Sequence, residues 1–546
     1  MLLNIILFPL FVFVAFSVGN FFFSFFENNK NSNNLFFEKL LYAIFFIGLI
    51  SLLLNFFFPL DSIYVRLILF FIIIISFKYL KKKDLILFKN NLTILILSSF
   101  LSSIMVPGYD GGLYHVLYQS WLKDYKILIG FSDLNFRFAL GSIYNYVAAL
   151  LWHDETFIFV SYFSTIFYSI FFLFLKEFLL ENKKKVFFCF LILFTSPLWS
   201  RYIYPSYALV DAPFGLISII FLTLFFFKLE IWIKEGISQK DLLLTTICSC
   251  LLIGLKSSGI FFIPFIIVVY GILFYKSKLK KNFKIPIIIF SLFVILWLIR
   301  SFLISGCFIY PVNFTCLNVE WFDVQILNYT IREINLYAFK PFKLSLVENF
   351  LSIKIFLFIF LLLIVTCSFF YLIKSNLNRI NKSDNFILIF LSLIYIALII
   401  NFEDLRGFST LVEKQKSLIV KNIFLKEIFY ILSIFIISFV ITFWFSKKEI
   451  VNFNNKIFTS YFSYTFYYLV FLLSIWVLNA PHPRFAYGYI PLIIPMLFIL
   501  LFNFNETCKN KTFLIIHQKK IFFLFIIIFF FKEINLADLS LYDLKK

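Results

Sequence analysis

The sequence predicts an all-α, polytopic integral membrane protein with about 14–17 transmembrane helices, and three observations support this class. Of the 546 residues, 62% are hydrophobic and only 14% are charged, whereas in a soluble fold about a quarter of the residues are charged. Apolar runs long enough to cross a bilayer recur along the whole chain. Between these runs lie short clusters of lysine, the pattern expected of cytoplasmic loops.

The apolar runs predict about sixteen spans within a single membrane domain, residues 1–531, followed by a short tail, 532–546. The predicted spans are Leu3–Phe26, Leu40–Phe58, Ser62–Phe77, Asn91–Val106, Thr156–Leu175, Val186–Trp199, Ala212–Phe227, Leu242–Leu255, Ile260–Tyr275, Ile285–Ile304, Leu351–Ile373, Phe386–Ile400, Ile428–Phe445, Tyr461–Leu478, Ile490–Phe502 and Ile521–Phe531. We interpret the first run as a retained span, because it has neither the basic start nor the small-residue cleavage site of a signal peptide.

The lysine clusters orient these spans. The cluster Lys81–Asp84 is expected in the cytoplasm, which places Pro107–Arg137 and the long segment 305–350 outside. The run Ala139–Trp152 is apolar but short, and a crossing there would force Lys183–Lys185 outside, so we interpret it as a half-helix or a surface hairpin. The net charge of +20 then reflects topology and contact with anionic lipid, and nucleic acid is not an expected partner.

The loop Pro107–Arg137 carries the pattern on which the functional hypothesis depends. Asp110 and His115 flank a Gly-Gly pair directly after an apolar run, where a carboxylate is costly unless it has a function. The residues that follow predict an interfacial helix with an aromatic stripe in the lipid headgroups and a polar face towards water or a cavity. The stripe is Tyr114, Tyr118, Trp121 and Tyr125, and the polar face is His115, Gln119, Lys123 and Lys126. An ordinary amphipathic loop helix beside a turn carboxylate is the alternative.

Ionisable side chains outside the lysine clusters gather at the predicted external ends of the spans. They are Asp110, His115, Asp133, Arg137, Arg201, Asp211, Lys256, Arg300, Glu320, Asp323, His482 and Arg484. Arginine offers phosphate a planar fork of donors, lysine offers a point charge, and a nearby carboxylate can act as a general base. These groups suit the transfer of a sugar from a polyprenyl phosphate, because cations stabilise the leaving phosphate. The chain contains no P-loop motif, so it is not a self-contained ATP-driven pump.

Each of these residues also has a simpler interpretation, which the sequence leaves open. Asp211 precedes Ala-Pro and can cap the following helix. Lys256 with the following Ser-Ser-Gly can be a helix end, and Arg300 can be an interfacial cation that snorkels to water. His115, on the polar helix face, is expected to be exposed and not a metal ligand, because it has no partner at metal-ligand spacing. His482 can be a plain turn residue.

Cysteine usage gives one further feature of the predicted external side. Of the seven cysteines, only Cys307 and Cys316 share a predicted external loop, and the seven show no metal-binding spacing. A disulfide and a pair of thiols fit this placement equally well.

Six short motifs follow one another along the chain in a recognisable order. They are YDGGLYH at Tyr109–His115, NFRFALGS at Asn135–Ser142, PSYALVDAP at Pro205–Pro213, GLKSSG at Gly254–Gly259, RSFLISGCFIYP at Arg300–Pro311 and APHPRF at Ala480–Phe485. This order resembles the GT-C superfamily of multi-span glycosyltransferases. It resembles more closely a group of uncharacterised bacterial membrane proteins with a GT-C-like pattern. The motifs are individually short and together span most of the chain.

The resemblance implies a GT-C-like fold with its active site on the periplasmic side of a bacterial inner membrane. It implies a glycosyltransferase that uses a polyprenyl-phosphate sugar as donor and an envelope glycan or lipid as acceptor. In GT-C enzymes the first large external loop carries the catalytic acidic residue, which implies that role for Asp110, with His115 and Asp211 as further catalytic candidates. Position and resemblance together nominate residues for the lipid phosphate or sugar: Tyr109, Tyr114, Arg137, Arg201, Lys256, Arg300, His482 and Arg484.

The sequence departs from the better-known members of the superfamily in two ways. The first loop lacks a clear acidic pair of the DE or DxD type, so no cofactor is assigned and a divalent metal is left open. The chain also lacks a C-terminal soluble domain, which fits a small acceptor.

Two other functions remain open. A polysaccharide polymerase or ligase tends to carry a dominant external loop late in the chain with paired arginines, whereas 305–350 is mid-chain and its Arg332 lacks an arginine partner in that loop. A lipid-linked-oligosaccharide flippase or other transporter should hold its ionisable groups near the bilayer midplane, in broken helices related by a repeat. This sequence keeps them at span ends and shows no repeat.

Overall fold

The computed structural model describes residues 2–26, 35–107, 110–153, 157–179, 206–207, 209–276 and 283–343, with single positions between 185 and 192 and between 465 and 496. Within these residues the chain is all-helical apart from one parallel pair of two-residue strands and an isolated bridge. The predicted spans between Leu351 and Phe445, and the last one, Ile521–Phe531, lie outside the described residues.

The α-helices of the described ranges follow one another along the chain. They are α1 Leu2–Ser24, α2 Phe36–Asn55, α3 Ile63–Phe77, α4 Lys82–Ile104, α5 Val116–Asp124, α6 Ile143–Leu151, α7 Ile158–Glu177, α8 Asp211–Glu235, α9 Gln239–Leu255, α10 Ile263–Lys276, α11 Lys284–Ser305 and α12 Val324–Lys343. A π-helical turn, Gly111–His115, leads into α5, and a 3-10 turn, Ser257–Phe262, joins α9 to α10.

Six of these helices are long and apolar enough to cross a membrane, namely α1, α2, α4, α7, α8 and α11. The helix α3 and the stretch from the 3-10 turn into α10 are also apolar but shorter. The chain is therefore a membrane protein with several spans. The full number predicted from the sequence includes segments outside the described ranges and stays a prediction.

Contacts near the helix ends show how the helices of the first half are arranged. At one end, Asn4 of α1 donates to Ser103 of α4 over 2.9 Å and accepts from Tyr162 of α7 over 2.8 Å. Towards the other end, Ser17 of α1 lies 2.8 Å from Ser76 of α3. Neighbouring helices thus alternate in direction, as the lysine clusters predict. We call the end with the starts of α2, α4 and α9 the basic end, and the opposite end, which carries residues 105–107 and 110–142, the loop end.

Ion pairs with at least one buried partner hold the basic end together. Lys39 Nζ lies 2.6 Å from Asp84 Oδ1, and the two side chains are only 4% and 3% exposed. Lys240 Nζ lies 2.7 Å from Glu38 Oε2, which also accepts the Leu35 N–H. These contacts join α2 to α4 and to α9. Charges removed from water need such partners, because an unpaired buried charge is strongly unfavourable.

A second set of contacts extends this arrangement to α7 and α8. Lys228 Nζ lies 2.6 Å from Asp241 Oδ1, which links α8 to α9. The Glu177 carboxylate accepts from the Phe37 N–H at 3.1 Å and from Asn91 Nδ2 at 2.8 Å. The basic end is therefore a polar layer shared by five helices.

The predicted start of the fourth span, Asn91, is wrong. Helix α4 begins at Lys82, nine residues earlier, so Lys82 and Lys83 lie in its first turn. Asp84 explains the difference, because its carboxylate accepts the Lys81 N–H at 2.9 Å and pairs with Lys39. A hydropathy boundary marks the end of an apolar run, whereas the helix itself continues wherever its polar residues find partners.

The segment predicted as a half-helix or a surface hairpin is a buried half-helix. Helix α6 has nine residues and rises about 14 Å, too little to cross a bilayer. Its residues from Ile143 to Ala149 are all buried. Ile143 packs against Gly48 of α2 and Gly254 of α9. A side chain at Gly48 would collide with Ile143, and one at Gly254 would collide with Phe293 and crowd Ile143. Small residues let helices approach closely in this way.

Breaking the Lys39–Asp84 pair should destabilise the protein strongly. Asp84→Asn removes the carboxylate charge 2.6 Å from a buried ammonium, and we expect the free energy of unfolding in detergent micelles to fall by about 3–5 kcal/mol. Replacing both residues by apolar ones, Lys39→Met with Asp84→Leu, should recover most of that loss.

The control for this experiment is the exposed Asp61–Arg66 pair. Asp61→Asn should change the free energy of unfolding by less than about 1 kcal/mol, because water already solvates both charges. Similar losses from Asp61→Asn and Asp84→Asn would contradict a buried pair at the basic end.

Candidate functional site

Two short strands bring together two of the motif loops. β1, Val106–Pro107, pairs in parallel with β2, Ser206–Tyr207. Phe157, just before α7, stacks on Tyr207 with ring centroids 5.2 Å apart. Asp110 comes three residues after β1 and Asp211 four residues after β2. The acidic residues of both motifs thus follow directly on one strand pair at the loop end.

Asp110 stands at the head of the π-helical turn Gly111–His115. Its side chain is buried, with 9% of the residue exposed. The Val116 N–H donates to the Gly111 carbonyl and closes the widened turn. A side chain at Gly112 would meet open space, so that glycine is not required by packing. π-helical turns inside helices occur often at functional sites, which makes this one a candidate.

His115 lies at the other end of this turn, and the expected exposure of its side chain is wrong, because it is buried against α6. Its Nδ1 is 3.4 Å from Asn145 Nδ2, and Asn145 Oδ1 accepts from Gln119 Nε2 over 3.2 Å. All three residues are buried, and the ring of Tyr114 lies 4.2 Å from that of His115. The sequence pattern identifies His115 as a candidate but does not identify these amide partners. The available signal was a single asparagine inside the apolar run that forms α6.

The predicted placement of the aromatic stripe in the headgroups is wrong for Tyr118. This side chain is buried under the loop, where its ring stacks on Phe138 at 5.3 Å and its hydroxyl accepts from Arg300. The large exposed apolar residues of this stretch include Leu113 and Leu117, one helical turn apart. Tyrosine turned inwards because a buried guanidinium supplies a hydrogen-bond partner for its hydroxyl.

Arg300 of α11 is the centre of the buried loop end. Its Nε donates to the Tyr146 hydroxyl at 3.2 Å, and its Nη1 to the Ala139 carbonyl at 3.0 Å. Its Nη2 donates to the Tyr118 hydroxyl at 2.6 Å and to the Phe138 carbonyl at 2.9 Å. Only 1% of the residue is exposed. The snorkelling interpretation is therefore wrong, and the geometry favours a structural clamp over the predicted phosphate ligand.

The acceptors around Arg300 are neutral groups. Burial raises the pKa of the Tyr146 hydroxyl well above its usual value, and the neighbouring Tyr118 adds to this while Arg300 opposes it. The Tyr146 phenol therefore stays protonated, and its oxygen is an uncharged hydrogen-bond acceptor. Two carbonyls and two phenols together solvate the guanidinium in place of water.

The packing around Arg300 explains the glycine of the NFRFALGS motif, Gly141. A side chain at this position would collide with the Arg300 guanidinium and the Tyr118 ring. Ser142, the next residue, caps α6 by accepting the Tyr144 N–H at 3.1 Å. The backbone of this motif therefore lies against the Arg300 guanidinium and leads directly into α6.

Lys256 and Asp211 form an ion pair, with each side chain 13% exposed. Asp211 is the first residue of α8, and Lys256 directly follows α9, so the pair joins the PSYALVDAP and GLKSSG motifs. The helix end predicted at Lys256 is confirmed, since α9 ends at Leu255. Gly259 passes so close to the Leu252 carbonyl that a side chain would not fit there. Sequence reasoning selected both charged residues but did not pair them.

Arg137 lies beside the Asp110–His115 turn. Its guanidinium carbon is 5.5 Å from the centre of the Tyr114 ring and 4.4 Å from that of Phe136. Unlike Arg300, Arg137 is only partly buried. Among the described arginines it combines nearness to this turn with access from outside, as a ligand of an anion requires.

Cys307 and Cys316 form a disulfide, which decides between the two alternatives that the sequence left open. Such bonds persist in oxidising compartments and are rare in the cytosol. The bond closes a hairpin at the loop end, directly after α11.

Four of the predicted binding residues lie outside the described residues: Tyr109, Arg201, His482 and Arg484. Their roles stay predictions. Within the part of the chain that the structure describes, no three His, Cys, Asp or Glu residues form a group that could hold a metal ion.

Gly141→Ala should destabilise the loop end. The added methyl group must displace the Arg300 guanidinium or the Tyr118 ring, and such overpacking costs about 1–3 kcal/mol in the free energy of unfolding. Gly112→Ala is the matched control, because its new methyl meets open space and should leave thermal unfolding in detergent nearly unchanged. Equal effects of the two changes would contradict the packing around Arg300.

Arg300→Lys should also destabilise the protein although the charge is kept. The ammonium cannot reach four acceptors at once, and we expect a loss of about 3 kcal/mol in the free energy of unfolding. Arg332→Lys, at an exposed position in α12, is the control and should cost little. If Arg300→Lys left the unfolding unchanged and removed only the activity, the result would favour Arg300 as a ligand of the phosphate.

Comparison with known proteins gives one match. No curated protein and no solved structure is similar to this chain. The family described as a domain of unknown function (DUF8201) matches residues 1–410 of the 546. That range includes all twelve of the helices described above, together with both loops joined by β1 and β2. The chain therefore belongs to the family described as domain of unknown function (DUF8201).

Proposed function

We propose that this protein is a glycosyltransferase that moves a sugar from a polyprenyl-phosphate donor to an envelope glycan or lipid acceptor. We place the reaction at the external face of a bacterial inner membrane. The observation that carries the proposal is the parallel pairing of β1 with β2, because Asp110 follows β1 and Asp211, the partner of Lys256, follows β2. The order of motifs that resembles the GT-C superfamily agrees with this grouping.

The proposed reaction needs a base, a held donor and a stabilised leaving group. The acceptor hydroxyl oxygen attacks the anomeric carbon of the sugar while the carbon–oxygen bond to the phosphate breaks. Asp110 takes the hydroxyl proton, and polyprenyl phosphate departs with the bonding electron pair. A buried carboxylate at the mouth of a membrane protein suits this role, because it can accept a proton within a site that excludes water.

The Lys256–Asp211 pair bears on the choice of base. Because Asp211 neutralises Lys256, it serves better to position that cation than to accept a proton. We therefore assign Asp110 as the base and Lys256 as a cation for the donor phosphate. His115, fixed beside Asn145, is the further group for proton transfer near Asp110.

Arg137 is the second described cation that we assign to the phosphate. It is partly exposed and lies next to Tyr114 at the Asp110–His115 turn. Its planar fork can bind two phosphate oxygens at once. Arg300 has a different task in this proposal, because its donors already hold residues 138 and 139 in place.

The disulfide supports an external position for the loop end. The Trp321 indole N–H donates to the Phe302 carbonyl at 3.1 Å, and the Gly130 N–H donates to the Leu303 carbonyl at 2.9 Å. The segment after the hairpin and the loop before α6 are thus both fixed to the end of α11, beside Cys307. A disulfide there agrees with the periplasm and not with the cytosol.

Asp110→Asn should abolish the activity while the protein still accumulates in the membrane. The amide cannot accept the proton, and general base catalysis contributes about 10²–10⁴-fold to rates. The measurement is mass spectrometry of envelope glycans and lipid-linked sugars in a deletion strain complemented with wild-type or mutant genes. Loss of one sugar residue from a glycan in both the deletion and the mutant would support the proposal.

The matched control is Asp124→Asn, an exposed carboxylate in the same loop, which should restore the wild-type glycan. A wild-type glycan from the Asp110→Asn strain would contradict the assignment of Asp110 as the base. If a complete lipid-linked oligosaccharide accumulates instead, a flippase or a polymerase accounts for the protein better.

A further inference from the structure

The hairpin closed by the disulfide exposes large apolar side chains. Phe314 at its tip is 90% exposed, Phe308 is 40% exposed and Leu317 is 49% exposed. Apolar surface concentrated in this way on a small element indicates a site of interaction. We call this element, Cys307–Leu317, the apolar hairpin.

The apolar hairpin is held in a fixed shape by its own hydrogen bonds. The Phe308 N–H donates to the Thr315 carbonyl at 3.1 Å, and the Leu317 N–H donates to the Gly306 carbonyl at 3.0 Å. The Thr315 hydroxyl donates to the Val312 carbonyl at 2.7 Å. The disulfide adds a covalent closure. These bonds therefore hold Phe314 in an exposed position, and the hairpin cannot rearrange to bury the ring.

The exposed surface continues into the lipid-facing side of α11. Four exposed residues of that helix recur at helical spacing: Ile288, Leu292, Ile295 and Ile299. The next residue along this stripe is Phe302, whose ring stacks on Phe308 with centroids 5.0 Å apart. Since α11 is apolar and long enough to span a membrane, its exposed face meets acyl chains. The apolar hairpin prolongs that face beyond the end of the helix.

We propose that the apolar hairpin inserts into the interfacial layer of the bilayer at the loop end, with Phe314 as its most exposed apolar side chain. Its partner is membrane lipid. Two features suit it to this environment, because aromatic side chains favour the interface and its bonded backbone groups need fewer partners from water. The residues that follow, Asn318 and Glu320, are exposed and polar, so they remain on the aqueous side.

Insertion would fix the depth of the candidate site. Trp321 lies against Gly130 and bonds to the Phe302 carbonyl, so the hairpin region and the loop before α6 are in contact. A hairpin held at the headgroup level therefore holds the Asp110 loop at that level too. This inference depends on the exposed surface alone and stands independently of the proposed reaction.

Photo-crosslinking tests the proposal on the full chain. The photoreactive residue p-benzoylphenylalanine replaces Phe314 in one protein and Glu320 in another, and each is irradiated in liposomes of phosphatidylethanolamine and phosphatidylglycerol. Mass spectrometry of the peptide that contains the disulfide then measures lipid adducts. We expect several-fold more lipid adduct at position 314 than at position 320.

Other products would overturn the proposal. Equal lipid adduct at the two positions would show that Phe314 is no nearer to lipid than Glu320. An adduct between position 314 and a peptide of this chain, or of a second copy, would show that protein covers the tip. Phe314→Ser separates insertion from internal packing, because it should leave thermal unfolding in detergent unchanged, and a marked loss of stability would contradict insertion.

Discussion

The buried guanidinium of Arg300 is the interaction on which the loop end depends. A cation in the low-dielectric interior of a membrane protein needs its donors satisfied, and here two carbonyls and two phenols do so. Those acceptors belong to α5, to α6 and to the residues before α6. One side chain of α11 therefore fixes the position of three other parts of the chain. Gly141 is small because the arginine occupies the space that its side chain would need.

The two ends of the molecule stabilise their charges in different ways. At the basic end, Lys39 and Asp84 neutralise each other away from water. At the loop end the most buried cation is surrounded by neutral dipoles, while the pair Lys256–Asp211 keeps some access to the surface. The other ion pairs of the basic end are not closed to the surface, since Lys228 and Lys240 are 25% and 23% exposed, against 13% for Lys256. The two ends therefore differ in how their most deeply buried described cation is stabilised, by a carboxylate at Lys39 and by neutral groups at Arg300.

The sequence was sufficient for properties that depend on local composition. Apolar runs located the long helices, and the length of Ala139–Trp152 indicated that α6 does not cross. Lysine clusters gave the alternation of directions. The start of α4 was missed, because Asp84 is stabilised by Lys39, a residue far away along the chain.

Partners distant in sequence were the general difficulty. Tyr118 fits a lipid-facing stripe by spacing, and only Arg300, 182 positions away, turns it inwards. The pairing of Lys256 with Asp211 and of His115 with Asn145 has the same character. A single sequence identifies residue types and periodic faces, but it does not show which distant groups meet. The residues of the candidate site were therefore easier to select than to assemble.

The separation between Arg300 and its acceptors also sets an order of assembly. The Ala139 carbonyl leaves the ribosome 161 residues before the arginine that will bind it. Until α11 has entered the membrane, the segment before α6 has no guanidinium to close around. Early helices can insert and pair at the basic end during synthesis, but the loop end reaches its final form only afterwards. The packing around Tyr118, Phe138 and Ala139 is thus completed later than the ion pairs of the basic end.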